Sequence, residues 1–362
     1  CMIRIAVVGC GRIAAKHFDA IYENTDHLKL VAICDTNQEV LDRHAIKFEV
    51  DGYVSMVEML NNTDIDMVVI CTPSGLHSDQ TVLAAKHGIH VMTEKPMATR
   101  WGDGLRMVRA CDNAGIRLFV VKQNRKNNTL QLLKRAIFEK RFGKIHMVQL
   151  NVFWTRPQEY YDSAKWRGTW EQDGGALMNQ ASHYVDLIDW LIGPVGSIQA
   201  MTATQMRDIE VEDTGVVNIR WRSGALGSMS VTMLTYPKNY EGSITIIGEN
   251  GTVRIGGVAV NEIDKWTFKD KMDYDEKLPM YFNNNFQFSQ RKMPQLIENT
   301  KNGLLEKQRI KWFSVKELKT DKTFRPFYQE IVDKITGKLP VISEKVKARI
   351  QKVKQTKKNK KN

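Results

Sequence analysis

Ile3-Arg4-Ile5-Ala6-Val7-Val8-Gly9-Cys10-Gly11-Arg12-Ile13-Ala14 is the stretch of sequence that decides the fold. An apolar strand, Ile3 to Val8, leads directly into a G-x-G-x-x-A loop that opens a helical pattern. The first two glycines of such a loop permit a tight turn and let the backbone approach a pyrophosphate, which the N-terminus of the helix attracts. Asp35 follows 21 residues after Ala14, at the end of the next strand. A carboxylate there can accept hydrogen bonds from both ribose hydroxyls.

The loop therefore predicts a dinucleotide site with NAD as the cofactor, because a carboxylate at Asp35 would repel the 2′-phosphate of NADP. Arg12 would offset part of that repulsion. We expect the cofactor to contact Gly9, Gly11, Arg12, Ile13 and Asp35. The alternative is a tight strand-to-helix turn that binds no ligand.

The first third of the chain continues the same alternation of strands and helices. Short runs rich in valine and isoleucine are separated by helix-length segments, as expected for parallel strands buried on both faces. The predicted strands are Ile3 to Val8, Leu30 to Cys34, Met67 to Cys71, His90 to Thr93 and Leu118 to Val121. We predict an α/β fold, in which residues 1–122 form an N-terminal Rossmann domain with a doubly wound parallel sheet.

Beyond residue 122 the pattern changes to a few helices and many strands separated by turn signals. The predicted helices are Thr129 to Phe138 and Gln180 to Leu191. The predicted strands are Ile145 to Trp154, Ile198 to Met206, Gly215 to Trp221, Ala225 to Leu234, Ser243 to Gly248 and Thr252 to Ile255. We predict that residues 123–343 form a C-terminal α+β domain for substrate binding and oligomerisation, with a mostly antiparallel open sheet. Residues 344–362 are expected to be a basic, disordered tail.

The net charge of +12 is concentrated at the C-terminal end of the sequence. Between Lys345 and Lys361 there are nine lysines or arginines and no acidic residue, which leaves about three of the twelve net charges for the rest of the chain. Such a segment can bind nucleic acid or anionic lipid, but it is more often solvated, so we expect no nucleic-acid partner. Since no apolar run reaches the roughly 20 residues that a membrane-spanning helix needs, we expect a cytoplasmic protein without a membrane partner.

All five cysteines lie in the first third of the chain, on predicted strand ends and helices, and none forms a C-x-x-C pair. This pattern favours small core residues in a reducing compartment over disulfides or metal ligands. We expect no metal site.

Two titratable residues suggest the chemistry. Glu94-Lys95-Pro96 follows the strand His90 to Thr93, and His183 lies at the start of a helical pattern. Oxidation of a secondary alcohol requires loss of its hydroxyl proton, for which histidine is a suitable base at neutral pH, and a nearby ammonium stabilises the developing alkoxide. We predict that Lys95 and His183 converge over one nicotinamide ring as the catalytic pair. Considered alone, Lys95 could also be an ordinary surface lysine, and His183 could also be a structural histidine on a helix. Asn179 shares a face with His183 if the helix has already begun there.

Further candidates lie in two loops. Thr72, Pro73 and His77 follow a strand at the edge where ligands bind in this architecture, and His77 either contacts the cofactor or caps the next helix. The run from Trp154 to Trp170 is dense in aromatic and cationic side chains, which stack on sugars or bases and bind phosphates or carboxylates. This run is predicted to be an active-site loop, and the alternative is an aromatic subunit interface.

At these residues the chain resembles the glucose-fructose oxidoreductase, inositol dehydrogenase and MocA (Gfo/Idh/MocA) oxidoreductase family. The glycine loop, Glu94-Lys95-Pro96 and His183 are shared across the broad family. Other segments resemble the branch that oxidises UDP-N-acetylglucosaminuronic acid (UDP-GlcNAcA) at C3. They are Val121 to Arg125, Arg156 to Asp162, Trp166 to Trp170 and Gly174 to Gln180, of which the last three are the more specific. The resemblance extends from about residue 3 to about residue 260.

The resemblance implies an NAD-dependent sugar dehydrogenase of bacterial surface polysaccharide (O-antigen, lipopolysaccharide) nucleotide-sugar biosynthesis. It implies a homotetramer whose tightly held NAD is recycled by 2-oxoglutarate. The resemblance and the sequence patterns together predict further cofactor contacts besides the glycine loop and Asp35. They are Thr72, Pro73, His77, Glu94, Lys95, Gln123, Trp166 and Arg167. The predicted substrate contacts are Lys95, Arg156, Tyr160, Tyr161, Asn179, Gln180 and His183. Asparagine at 179 is typical of the nucleotide-sugar branch, whereas many family members have aspartate there.

The sequence departs from the family pattern near its end. Lys265 to Lys322 is more charged than the family pattern, Phe327 to Lys338 keeps a helical pattern, and a lysine and asparagine tract follows from Glu344. Two alternatives to the leading hypothesis remain open. One is an NAD-dependent dehydrogenase of a free sugar or inositol, and the other is a non-catalytic sugar or NAD sensor.

Overall fold

The computed structural model describes residues 2–275 and residue 278, which belong to two compact units. The first unit extends to Val121 and the second begins at Lys122. None of the helices in these described ranges is long and apolar enough to cross a membrane. The expectations for Phe327 to Lys338 and for the basic tail, residues 344–362, lie outside the described residues.

The first unit contains a parallel sheet of six strands in the order β3-β2-β1-β4-β5-β6. The strands are β1 Ile3–Val8, β2 Leu28–Cys34, β3 Asp51–Tyr53, β4 Met67–Ile70, β5 His90–Thr93 and β6 Leu118–Val120. The helices are α1 Ala14–Tyr22, α2 Gln38–Phe48, α3 Met56–Asn62, α4 His77–Lys86 and α5 Trp101–Ala114. The chain reverses its direction of winding between β1 and β4, and the loops that follow these two strands define the ligand-binding edge of such a sheet.

Both faces of this sheet are covered, as the apolar runs predicted. Along β1, Ile5 and Val7 belong to one buried cluster, and Ala6 and Val8 belong to another on the opposite face. The α/β fold class is therefore confirmed. The short edge strand β3 was not predicted, because three residues, of which two are exposed, give no apolar signal.

The second unit contains a seven-stranded sheet in the order β13-β12-β11-β7-β10-β9-β8. The strands are β7 Ile145–Phe153, β8 Val195–Ala203, β9 Thr214–Trp221, β10 Leu226–Thr232, β11 Glu241–Gly248, β12 Gly251–Gly256 and β13 Glu262–Phe268. The pair of β7 and β10 is parallel, and the other neighbouring pairs are antiparallel. This arrangement confirms the predicted mostly antiparallel sheet.

Helices cover one face of that sheet. They include α6 Asn128–Phe138 and α8 Ser182–Leu187, and a short helix, α7 Gln158–Asp162, lies between them in the chain. Leu133 of α6 and Tyr184 of α8 are fully buried in the same apolar cluster as Trp221 of β9. Because this packing fixes α8 on the sheet, it also fixes the side chains that α8 carries toward the candidate site.

The predicted helix from Gln180 to Leu191 differs in detail from the structure. Backbone with π-helical hydrogen bonds spans Ala176–Gln180, α8 follows, and a second π-helical turn spans Ile188–Ile192. Asn179 lies in the first π-helical turn and a bend at Ala181 precedes α8, so Asn179 and His183 are not on one continuous α-helix. A π-helical turn has no distinct apolar spacing, so the sequence pattern could not reveal it.

The predicted strand from Ile198 to Met206 is shifted toward the N-terminus, since β8 spans Val195–Ala203. The reason lies in Asp213, whose carboxylate accepts hydrogen bonds from the backbone N–H groups of Gln205, Met206 and Arg207 at 3.0–3.1 Å. These groups bind the carboxylate instead of continuing the ladder, so the strand ends. Strand β13 and helix α7 were not predicted.

Candidate active site

The glycine loop joins β1 to α1 and forms the base of the predicted cofactor site. Gly9 has a φ of +87°, and a Cβ there would lie 2.9 Å from backbone atoms of Cys71 and Thr72, so only glycine fits. At Gly11 a Cβ would meet no atom of the described residues within 4 Å. Open space beside a tight turn at a helix N-terminus fits the pyrophosphate of a dinucleotide.

Asp35 lies just after β2, where the sequence predicted it. Its Oδ2 accepts a hydrogen bond from the Cys10 N–H at 2.7 Å, and its Oδ1 accepts one from the Asn37 N–H at 2.9 Å. The carboxylate therefore braces the glycine loop. Arg12 is exposed and Ile13 is half-buried in the same loop.

His77 links the loops that follow β4 and β5. The side chain is buried, and its Nε2 and Nδ1 lie 2.9 Å from the carbonyl oxygens of Thr72 and Pro96 respectively. Burial lowers the pKa of His77, and these two carbonyls oppose that effect only in part. His77 is the first residue of α4, but its side chain makes no hydrogen bond that caps the helix. Thr72 and Pro73 lie in the loop that the ring contacts, so the structure brings these three predicted residues together.

Glu94 is buried beside the predicted catalytic lysine. Its Oε1 lies 2.9 Å from Nε2 of His17, and its Oε2 accepts a hydrogen bond from the Lys95 N–H at 3.1 Å. Burial alone would raise the pKa of Glu94, but the hydrogen bond and charge of His17, the Lys95 N–H and the Lys95 ammonium together hold it below its usual value. A buried, ionised carboxylate therefore lies next to Lys95.

In the second unit, His183 lies on α8 and is 7% exposed, and Asn179 and Gln180 in the preceding π-helical turn are also buried. Arg125 makes a bidentate contact to Asp186 of α8. Its Nε and Nη2 donate to the two carboxylate oxygens at 2.7 and 2.6 Å. Lys122 Nζ donates to the Ser182 carbonyl at 3.4 Å. Lys122 and Arg125 therefore anchor the helix that carries His183.

Asp173 joins two segments of the candidate site. One carboxylate oxygen accepts a hydrogen bond from the Gly168 N–H at 2.9 Å, and the other accepts one from the Asn179 side-chain amide. Asp173 is 2% exposed, so both bonds are shielded from water. They fix the orientation of the Asn179 amide and connect it to the aromatic loop.

The aromatic loop and the π-helical turn form one hydrogen-bonded network. Arg156 Nε donates to Gln180 Oε1 at 2.9 Å, Gln180 Nε2 donates to the Tyr160 hydroxyl at 3.0 Å, and Arg167 Nη1 donates to the same hydroxyl at 2.6 Å. The guanidinium of Arg167 lies 4.3 Å from the centre of the Tyr160 ring and 4.5 Å from that of Trp166. Two arginines, held by a phenol and an amide, make a cationic surface suited to phosphate or carboxylate groups.

Two other predicted residues are placed differently. Tyr161 is 5% exposed and packs edge-on against Tyr160, and its burial raises its pKa. It therefore packs as a core residue of the loop. Gln123 carries a buried Oε1 for which the described residues provide no hydrogen-bond partner, as expected of a group that binds a ligand.

The sequence did not single out His17, Asp173 or Asp186, although each holds a predicted site residue in place. Two of the partners are distant in sequence, 77 residues apart for His17 and Glu94 and 61 for Arg125 and Asp186. Asp173 is close in sequence to its partners Gly168 and Asn179, but it lies in a turn between elements, where apolar spacing gives no signal. A signal was present for His17, since it lies on the apolar face of α1 between Ala14 and Phe18. A histidine on a buried face requires a polar partner.

Two profiles of one protein family match the described part of the chain. Residues 3–122 match the oxidoreductase family with an NAD-binding Rossmann fold, and residues 130–254 match the GFO/IDH/MocA C-terminal domain. The chain belongs to the Gfo/Idh/MocA oxidoreductase family. Its first unit is therefore an NAD-binding Rossmann domain, and the enzyme class predicted from the sequence is confirmed.

Solved structures of two family members are similar over most of the chain. The WlbA dehydrogenase from Chromobacterium violaceum, in complex with NADH and UDP-GlcNAcA, has 63% sequence identity and a TM-score of 0.76, covering 77% of this chain and 81% of that one. The WlbA dehydrogenase from Bordetella pertussis, in a complex with the same two ligands, has 60% identity, a TM-score of 0.76 and the same coverage.

A more distant family member acts on a free cyclitol. The myo-inositol 2-dehydrogenase of Thermotoga maritima is 26% identical over 259 residues, which cover 69% of this chain and 74% of that protein. This level of identity is far below that of the two WlbA dehydrogenases.

Within the described residues, no group of three or more histidine, cysteine, aspartate or glutamate side chains is arranged to hold a metal ion. Four cysteines, Cys10, Cys34, Cys71 and Cys111, are buried free thiols. Burial raises the pKa of Cys34 to about 11 and that of Cys10 and Cys111 to about 12, so these thiols are protonated at neutral pH. They pack as small core residues.

Proposed function

We propose that this protein is an NAD-dependent dehydrogenase that oxidises the C3 hydroxyl of UDP-GlcNAcA to the 3-keto sugar. The observation that carries the proposal is the 63% and 60% identity to two WlbA dehydrogenases solved with NADH and UDP-GlcNAcA. The division into an NAD-binding domain, residues 1–122, a substrate and oligomerisation domain, residues 123–343, and a basic tail, residues 344–362, is part of the proposal.

In the proposed reaction the C3–H bond and the O3–H bond break, and a C=O bond forms. His183 takes the hydroxyl proton as general base, and the Lys95 ammonium stabilises the negative charge that develops on O3. NAD, when bound, supplies the acceptor for the hydride that leaves C3. The sugar thus loses two hydrogens, one as a hydride that converts NAD to NADH and one as a proton that His183 accepts.

The second unit supplies groups suited to a charged nucleotide sugar. We assign Asn179 and Arg156 to the sugar, and Tyr160 and Gln180 to the surrounding substrate surface. Tyr161, which is buried against Tyr160, supports that surface from behind. Gln123, Trp166 and Arg167 are assigned to the cofactor, together with Gly9, Gly11, Arg12, Ile13, Asp35, Thr72, Pro73, His77 and Glu94. The Arg156–Gln180–Tyr160–Arg167 network supports these roles, since a diphosphate and a uronate each need cationic, hydrogen-bonding partners.

Purified protein should reduce NAD when given UDP-GlcNAcA, with absorbance at 340 nm and mass spectrometry of the 3-keto sugar as readouts. His183→Ala should lower turnover about a hundredfold or more, because the general base is lost, while NAD stays bound. Lys95→Ala should lower turnover by a similar factor, because the developing charge is no longer stabilised.

His87→Ala is the matched control, since His87 ends α4 and bonds to Leu83 and Asn61, away from these residues. It should turn over like the parent. Parental turnover in His183→Ala would contradict the assignment of the base. Reduction of NAD with myo-inositol or glucose but not with UDP-GlcNAcA would instead favour the free-sugar alternative.

Three further properties belong to this proposal. The enzyme acts in the cytoplasm, where UDP-sugars and NAD are available, and contributes to nucleotide-sugar synthesis for bacterial surface polysaccharide such as O-antigen. The reduced cofactor is reoxidised on the protein by 2-oxoglutarate. The protein is a homotetramer, and the exposed apolar side chains on the open face of the second sheet support this assembly.

A further inference from the structure

Lys95 lies between two residues that are each held by a buried histidine. On its N-terminal side, Glu94 contacts Nε2 of His17 at 2.9 Å, and on its C-terminal side the Pro96 carbonyl contacts Nδ1 of His77 at 2.9 Å. His17 is 0% and His77 is 1% exposed, so water does not compete for either contact. The two histidines come from α1 and α4, which flank the segment from different parts of the sequence.

Glu94 also binds the main chain of Lys95 directly, because its Oε2 accepts the Lys95 N–H at 3.1 Å. Glu94 is 5% exposed, and both of its oxygens therefore have partners within the protein. A carboxylate with two charge-assisted contacts in a dry environment defines the position of the adjacent backbone closely. The side chain of Lys95 extends from this fixed point.

We propose that His17, Glu94 and His77 are positioning residues that fix the main chain of Lys95, so that its ammonium reaches the substrate hydroxyl in one geometry. The inference rests on the proposed catalytic role of Lys95. The side chains of Glu94 and His77 are occupied by these contacts, so the two residues would meet the dinucleotide through their main chains while their side chains place the lysine. It also explains why α1, the helix that follows the glycine loop, carries a histidine on its apolar face.

The expected effect is on the chemical step. A displacement of about 1 Å in a reacting group can cost on the order of a hundredfold in rate without any change in the contacts that bind the ligands. Loss of a positioning residue should therefore lower kcat while leaving KM and the NAD dissociation constant nearly unchanged.

Glu94→Gln is the first test variant, because it keeps the size of the side chain and leaves no unpaired charge. Its amide is uncharged, so both contacts lose the charge that strengthens them, and the contact to His17 persists only after that ring moves its proton to Nδ1 and accepts from the amide. We expect kcat to fall about tenfold to a hundredfold, with KM and NAD affinity changed by less than about threefold. A tenfold weaker binding of NAD with unchanged kcat would overturn the inference and support a direct cofactor contact for Glu94.

A double-mutant cycle with Lys95→Ala separates positioning from a general structural defect. If Glu94 acts through Lys95, Glu94→Gln should lower kcat by less than about twofold in the Lys95→Ala background. The same fold-loss in both backgrounds would overturn the inference. Parental activity in Lys95→Ala alone would be a different result, because it would remove the proposed function of the lysine itself.

His77→Leu tests the contact on the C-terminal side of Lys95, and it replaces Glu94→Gln as the test variant if Glu94→Gln does not fold. It removes both contacts of the ring without creating a buried charge, and the same non-additivity with Lys95→Ala is expected. His17→Gln should retain most of the parental kcat, since a glutamine amide can still donate to Glu94. His87→Gln, a histidine of the same unit outside this cluster, is the matched control and should match the parent.

Discussion

Glu212 is a single residue whose charge opposes folding. It is 6% exposed, and its Oε1 accepts a hydrogen bond from the Leu177 N–H at 2.9 Å. Burial raises the pKa of Glu212, and the nearby charges of Asp173 and Asp213 raise it further, whereas backbone hydrogen bonds offset this only in part. The folded protein therefore favours the protonated acid more than the unfolded chain does.

Glu212→Gln is accordingly expected to stabilise the protein at neutral pH and to have little effect under acidic conditions. Below the ordinary pKa of about 4.5 the carboxyl is protonated in both states, and the penalty appears as pH rises through the higher pKa of the folded state. Glutamine keeps the acceptor for Leu177 and removes the charge. The gain at pH 7 should be roughly 1 kcal/mol, the scale of single buried substitutions.

Urea unfolding of parent and Glu212→Gln at pH 4 and pH 7 measures this difference. Asp213→Asn provides the opposite case, because three backbone N–H groups outweigh burial and hold the pKa of Asp213 below its usual value. That variant should lose stability at pH 7. Equal stability of Glu212→Gln and the parent at both pH values would contradict the electrostatic argument.

At the scale of elements, the glycine loop shows what spacing alone can predict. Its position after β1 and before α1 required only the order of residues along the chain, so the loop, the strand ends and Lys95 after β5 could be predicted. The contacts between His17 and Glu94 and between Arg125 and Asp186 depend on tertiary packing across the fold. Local patterns in the sequence contain no information about these contacts, because the partners come from elements far apart in the chain.

The two glycines of the loop should respond differently to the same substitution. Gly9→Ala should destabilise the protein by a few kcal/mol, since its Cβ would lie 2.9 Å from backbone atoms and its φ is +87°. Gly11→Ala should fold like the parent, because its Cβ meets no described atom within 4 Å. Its methyl group would occupy the space proposed for the pyrophosphate, so NAD affinity should fall at least about tenfold.

Thermal unfolding and NAD titration by fluorescence distinguish the two effects. Gly88→Ala is a useful comparison, because Gly88 has a φ of +71° with no neighbour within 4 Å among the described residues. Gly88→Ala should lose only the stability that a positive φ costs an alanine, whereas Gly9→Ala also loses stability through steric overlap with the neighbouring backbone. Undiminished NAD affinity in Gly11→Ala would place the pyrophosphate elsewhere.

At the scale of the whole molecule, the second unit leaves one face of its sheet uncovered by the described residues. Leu226, Met147 and Ile247 are register partners across β10, β7 and β11 and form a row of exposed apolar side chains. Met201 and Val216 are partners across β8 and β9 on the same face and are 80% and 48% exposed. Polar side chains separate these two apolar groups on the face. Exposed apolar side chains grouped on an open sheet face are typical of a subunit interface, which supports the proposed homotetramer.

Met147→Asp should therefore weaken subunit association, because Met147 is the centre of the row and is 49% exposed. A buried, unpaired carboxylate at an interface costs several kcal/mol, so the mass measured by light scattering should shift toward smaller species. Ile46→Asp is the matched control, since Ile46 is 79% exposed on α2 of the other unit, and it should keep the parental mass. Because the substituted side chain faces away from the helices that carry His183 and Asn179, circular dichroism should show a folded protein. An unchanged mass for a folded Met147→Asp would place the subunit contacts on another surface.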